Sequence, residues 1–374
     1  MPVRTPPHAA EPVESRGGAL LRVPPDAMFH EMRNGGFGGT VLRRALEGLR
    51  RRLPPGWSVE EHGSPRAPAL RLSGPDKRSV DLSVVARKGL VPRDVPALLA
   101  GTDRPLLVVS SYLGGRAREL IAQGGASYAD ATGNVRVVVS RPAIFLEGSG
   151  AEQNPERTPR ALRSLRGGAA ARVVRALVEF DLPLGIRALA SAAATPLGTV
   201  SRVVTFLETE ALLTRDDKKR VVAVDGPALL MRWATDYELT KANELHGFLE
   251  PRGLPALWPK LTRLPRYAAT GSTAGPGIAP TRLAMLYVDD PDEAARTLGL
   301  VPADAGANVW LLRPYDDVVF ARSRPRAVSV GEASVDVTIV ANAQAVVDLL
   351  SSPGRGPQEA EALVEKMKKE HRAR

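Results

Sequence analysis

Thr199, Ser201, Arg202 and Thr205 stand close together in a stretch whose apolar residues recur at helical spacing. Short hydroxyl donors beside one guanidinium suit a nucleic-acid groove, because they reach phosphates and base edges without holding a helix backbone away. Shortly downstream, Arg215, Lys218, Lys219 and Arg220 crowd a turn that could lie along a phosphate backbone. Thr195, immediately before Pro196, joins this DNA-facing set as an expected helix N-cap with proline at the first helical position.

Positioning those side chains requires two helices and a hairpin. Ile186 to Ala192 reads as a short helix, Ala193 and Ala194 as the turn, and Pro196 to Glu210 as the second helix. Along it Leu197, Val200, Val204 and Leu207 are expected to face a core, which leaves the polar set outside. Ala211 to Thr214 and Val221 to Val224 read as the strands of a basic wing, and a further helix from Ala171 precedes the pair. The expectation is a winged helix-turn-helix whose second helix enters the major groove. Between Pro155 and Arg220 twelve Lys or Arg face seven Asp or Glu, a surplus of five against a net charge of +10 for the chain. Binding to DNA through that surplus would be strongly salt-dependent. The alternative is a winged helix that pairs protein with protein and carries a solvated basic tip.

Other constellations point to phosphate chemistry and fall short of it. Pro75-Asp76, Asp81 and Ala86-Arg87-Lys88 follow the order of a restriction-type nuclease signature, but Ala86 stands where a second metal-binding acid is needed. Gly271-Ser272, Asp289, Asp290 and Asp336 resemble a minimal nucleotidyltransferase pattern, the main enzymatic alternative. Adjacent acids on a strand point to opposite faces, so Asp289 and Asp290 do not make the usual pair. Asp130-Ala131-Thr132-Gly133-Asn134 reads as a compact turn between strands. Gly354-Arg355-Gly356-Pro357 lacks the Gly-Lys-Ser/Thr ending of a phosphate loop and reads as a helix start. The chain has no cysteine and five scattered histidines, His8, His30, His62, His246 and His371. No metal, cofactor or catalytic residue is therefore expected.

Charge and hydropathy divide the rest into an expected multidomain α+β and α/β protein. Residues 1–27 read as a disordered tail, 28–147 as a mixed α/β domain of degenerate restriction-endonuclease type, and 148–160 as a linker. Residues 161–226 hold the winged helix, and 227–374 a helical connector to about Glu250 followed by a C-terminal α/β domain. No apolar run approaches the roughly 18 residues that cross a bilayer, and no signal core opens the chain. A cytoplasmic protein without a membrane partner is the expectation.

Tyr128 to Asn134, the winged helix, Met231-Arg232-Trp233-Ala234-Thr235-Asp236-Tyr237 and Asp348 to Gly356 together resemble the AbiEi family of antitoxin-type transcriptional regulators. The resemblance covers roughly residues 95 to 370. It implies a DNA-binding repressor of its own operon that counteracts a nucleotidyltransferase-like toxin. Partners implied are double-stranded DNA and a cognate toxin protein; separately from the resemblance, paired half-sites would point to a homodimer. The added N-terminal α/β domain departs from the shorter members.

Overall fold

The strand Leu106–Ser110, apolar up to its final serine, lies at the centre of the first sheet and is buried along its whole length. The computed structural model describes residues 37–64, 67–100, 105–156, 164–277 and 282–372. The tail expected at 1–27 and the end of the linker, 157–160, lie outside them. Among the described residues twelve α-helices and three sheets make a mixed α/β architecture in two compact units.

The first unit opens with α1 (Phe37–Arg50), followed by strands β1 (Ser58–Ser64), β2 (Ala67–Ser73) and β3 (Ser79–Arg87). Then come α2 (Val95–Leu99), β4 (Leu106–Ser110), α3 (Gly115–Gln123), β5 (Ser127–Asp130), β6 (Val135–Ser140) and β7 (Ala143–Gly148). The seven strands lie side by side in chain order, with β3, β4 and β5 parallel and the remaining neighbours antiparallel. Parallel neighbours need a crossover, and α2 and α3 provide the two required. Alternation along β4 then divides the core: Leu107 and Val109 pack with Leu46 and Leu49 of α1, whereas Leu106 and Val108 pack with Val95 and with Ile121 of α3.

The second unit begins with α4 (Gly168–Glu179), α5 (Ile186–Ala192), α6 (Leu197–Thr209) and the hairpin β8 (Leu213–Arg215) and β9 (Val221–Val224). It continues through α7 (Gly226–Ala234), α8 (Leu239–Ala242), β10 (Glu244–Leu249), α9 (Leu254–Leu257), β11 (Tyr267–Thr270) and β12 (Ala284–Val288). The last elements are α10 (Pro291–Leu298), β13 (Val301–Pro302), β14 (Val309–Arg313), β15 (Arg324–Val330), β16 (Ala333–Ile339), α11 (Asn342–Leu350) and α12 (Gly356–Arg372). The large sheet runs in the order β13-β10-β14-β12-β11-β16-β15. The helical connector expected as far as Glu250 therefore stops early. Residues Glu244–Leu249 form a strand because β14 on one side and β13 on the other take up its backbone hydrogen bonds.

One continuous core, from Leu165 to Val364, joins the helical segment to this sheet, so the residues on either side of Gly226 share their buried surface. Asp348 of α11 sits at its centre with no solvent exposure. Its carboxylate accepts from the hydroxyls of Tyr237 (2.8 Å), Thr270 (2.5 Å) and Tyr287 (3.1 Å) and from the Gln344 amide (2.9 Å). A buried polar group is tolerated when its hydrogen bonds are made, and here donors from α11, β11, β12 and the segment after α7 make them. Burial nevertheless pushes the Asp348 carboxyl above its ordinary value, the donors opposing that shift.

α4 is anchored separately. Arg175 is almost wholly buried, donating to Glu179 (3.0 Å) and to the carbonyls of Val318 and Ala321, while Arg172 pairs with Asp316 at 2.9 Å. A β-carbon on Gly168 would overlap the Asp316 carboxylate, so glycine is required where α4 begins.

Replacing Asp348 by alanine removes the acceptor shared by three hydroxyls and an amide in the core, and should cost about 3 kcal/mol or more in urea denaturation of the full chain. Because the folded-state value of Asp348 is raised, its stabilising contribution is complete below the unfolded value near ~3.9 and is lost as pH rises through the folded one. Asp348→Asn should remove that part of the stability-versus-pH slope.

Candidate nucleic-acid interface

Three helices and a hairpin assemble the candidate surface. Alternate sides of α4 and α6 enter the shared core through Val173, Val174, Leu177, Val200, Val203, Val204 and Leu207, with Leu189 of α5 beside them. Between α5 and α6 the chain turns at Ala194, which adopts a left-handed conformation at φ 44°. β8 and β9 pair antiparallel after α6. Leu184, ahead of α5, bridges to Val221 through reciprocal backbone bonds of 3.0 and 2.8 Å, so a third extended segment braces the hairpin.

The start of α6 differs from expectation. Pro196 occupies the cap position, and its carbonyl accepts from the amides of Thr199 (2.9 Å) and Val200 (3.1 Å). Thr195 is buried and turns its hydroxyl back to the carbonyl of Ala193 at 2.9 Å, so it neither caps the helix nor faces solvent. Leu197 also departs from its expected core position, being 48% exposed, and Val203 fills the buried stripe in its place. The reason is geometric: Leu197 lies in the first turn, beyond the end of the packed stripe. Ser201, Arg202 and Thr205 are exposed, and Thr199 is half-buried with its hydroxyl accepting from Arg202 Nη2 at 3.1 Å. The outward face therefore presents an apolar residue at the helix start, then hydroxyls and one guanidinium.

At the hairpin the expected row of four cations divides in two. Arg215 is held by Glu208 of α6 through Nε at 3.0 Å and through a second, shorter contact, and both side chains are largely buried. Arg220 is held by Asp216, whose carboxylate accepts from its Nε at 2.8 Å and from its backbone amide at 2.9 Å. Lys219 closes the tip in a left-handed conformation at φ 61°, and Lys218 and Lys219 are both exposed with no ion pair among the described residues. Arg215 and Arg220 thus shape the hairpin, and the two lysines carry its available charge. The same division applies to the whole segment. Arg172, Arg175, Arg215 and Arg220 are committed to ion pairs, whereas Arg166, Arg187, Arg202, Lys218 and Lys219 are exposed without one among the described residues. Arg157, Arg160 and Arg163 lie outside those residues.

Of the acids considered for catalysis, Asp289 and Asp290 have partners of their own. Asp289 forms an ion pair with Arg266, Asp290 caps α10 by accepting from the Glu293 amide at 3.0 Å, and Asp336 lies exposed on β16 opposite Ala327. Ser272 stands in the 3₁₀ turn after β11. In the first unit Asp76 occupies the β2–β3 turn, Asp81 of β3 pairs with Arg71 at 2.9 Å, and Lys88 follows β3. Among the described residues no cluster of three or more histidine or acidic side chains could hold a metal ion. Asp130 is buried in its turn, accepting from Leu113, Thr132 and Asn134, which makes it a structural knot. Sequence reasoning passed over Arg172, Arg175 and Asp348; the one signal available was a single carboxylate set among the apolar residues of Ala343 to Leu350.

No family model, curated protein or solved structure matches this chain.

Hydrogen bonds from Arg215 hold the Glu208 carboxyl below the usual carboxylate range. That stabilisation is present above the unfolded value near ~4.3 and is lost as pH falls through the lowered folded one. Arg215→Ala should therefore cost about 1 kcal/mol or more at neutral pH, with the deficit shrinking in acid. Lys218→Ala and Lys219→Ala should stay within roughly 0.5 kcal/mol of the parent in the same denaturation series.

Proposed function

We propose that this chain is a sequence-specific DNA-binding transcriptional regulator of the AbiEi antitoxin type, working in the cytoplasm where chromosomal DNA is found. In this reading α4, α5, α6 and the β8–β9 hairpin act as a winged helix-turn-helix. The supporting observation is the joint exposure of the Ser201, Arg202 and Thr205 face of α6 and the uncommitted Lys218 and Lys219 of the hairpin tip. A polar helix face suits the major groove, with Arg202 matched to the acceptor edge of guanine and the exposed Leu197 to a thymine methyl. The lysines suit phosphates, which orient the protein without naming a base.

The reading requires no catalytic step, metal or cofactor. It assigns the first unit, where Ala86 replaces the second acid of the nuclease signature, to a non-catalytic α/β domain. The same resemblance adds repression of its own operon and a toxin partner, and paired half-sites in the operator would add a second copy of the chain. A toxin-like reading frame beside the gene would support that last element.

Mobility-shift titrations on the gene's own upstream region test the proposal. Tighter binding there than to a scrambled duplex is expected, and Arg202→Ala should lose about 1–3 kcal/mol of that discrimination. Neutralising Lys218 and Lys219 together should weaken binding to both duplexes and lower the salt slope by about 2, at ~0.9 per phosphate contact. A double-lysine variant with parental affinity and slope would contradict the assignment of the tip.

A further inference from the structure

A cleft of about 730 Å³ opens in the second unit, lined by the segment that leads into α4, by the end of α7 with α8, by Tyr315 and by the end of α11. Its volume lies within the range of small-molecule sites. Trp233, Tyr237 and Tyr315 furnish aromatic walls, with the Tyr237 ring 5.8 Å from each of the other two. Tyr315 Oη is buried with no hydrogen-bond partner among the described residues.

The charges around the cleft do not cancel in their effect on a ligand. Asp236 is already satisfied by Arg232 at 2.6 Å and by the Leu165 amide at 2.8 Å. Glu238 and Lys241 pair with each other at 2.8 Å. Arg166 remains, exposed at the cleft and without an ion pair among the described residues. Aromatic walls beside one uncommitted guanidinium select a flat apolar body that carries an anionic group, since Arg recognises carboxylate and phosphate with two parallel donors.

We infer that this cleft is a binding site for a small aromatic carboxylate, with the ring laid against the wall that Tyr315 forms beside Tyr237 and Trp233 and the carboxylate on Arg166. The occupant touches the residues just before α4, the turn after α7 and Tyr315, which leads into the Asp316–Ala321 segment that holds Arg172 and Arg175. It therefore braces the helix on which α5 and α6 are packed. The site stands apart from the DNA reading, and its test uses no DNA.

Isothermal titration of the full chain with benzoate and with 2-naphthoate is the direct measurement. Saturable binding of one molecule per chain is expected for at least one of them, with little affinity for the neutral analogue 2-naphthalenemethanol. Arg166→Gln, an exposed change that leaves the core intact, should weaken the carboxylate at least tenfold while the melting temperature of the unliganded protein stays put. Absence of saturable binding for both carboxylates would overturn the inference, and so would equal affinity in Arg166→Gln or for the alcohol.

Discussion

A single carboxylate with no access to water sets the geometry of the second unit. Asp348 can remain buried only while Tyr237, Thr270, Tyr287 and Gln344 surround it with donors. Those donors come from elements far apart in sequence, so the requirement fixes the turn after α7, two central strands and α11 relative to one another. Fixing Tyr237 also sets the end of α7, whose Leu229, Leu230 and Trp233 are buried in the core shared with α4. A second buried group, the Arg175 guanidinium, attaches α4 to the Val318–Ala321 backbone. The helices and the sheet are consequently parts of one packed body.

Part of that body's cationic charge is taken up by its own carboxylates. Arginine is the residue suited to multiply bonded pairs, and here it is paired at positions 172, 175 and 215, which are buried or partly buried, and at the exposed position 220. What reaches solvent on α6 and the hairpin is a smaller set of different chemistry: two lysines at a tight tip, one arginine and hydroxyls on a helix face. Cationic surplus in a sequence therefore overstates the charge offered to a ligand, because it does not say which cations already have partners. Rigid attachment of α4 and braced strands at the hairpin keep the remaining groups in fixed relative positions, which favours discrimination over general attraction to phosphate.

Much of the architecture could be read from local pattern. The α5 and α6 helices and the hairpin strand Val221–Val224 follow from helical spacing and apolar runs. Glu244–Leu249 was misread as helix because its strand character comes from neighbours distant in sequence, not from its own alternation. Leu197 was misplaced for a related reason: spacing alone does not mark where a packed stripe ends. The candidate surface was legible as residue types, and its active subset was not. Pairing of Arg215 with Glu208 and the inward turn of Thr195 depend on side-chain contacts that no local pattern encodes. Tyr237 and Asp348 fall in two separate segments that carry the family resemblance, and their meeting at 2.8 Å became visible only in three dimensions.

The central claim is that the outward face of α6 lies against duplex DNA. The chain has no cysteine, so one introduced at Ser201 would be the sole thiol in the protein. Disulfide capture by an upstream-region duplex bearing a thiol tether on a major-groove base edge is the most direct measurement. Efficient cross-linking is expected from Ser201→Cys at a defined base position, and none from Glu361→Cys, an exposed site on α12. Equal capture from both positions, or none from Ser201→Cys under conditions where the duplex is bound, would contradict the claim.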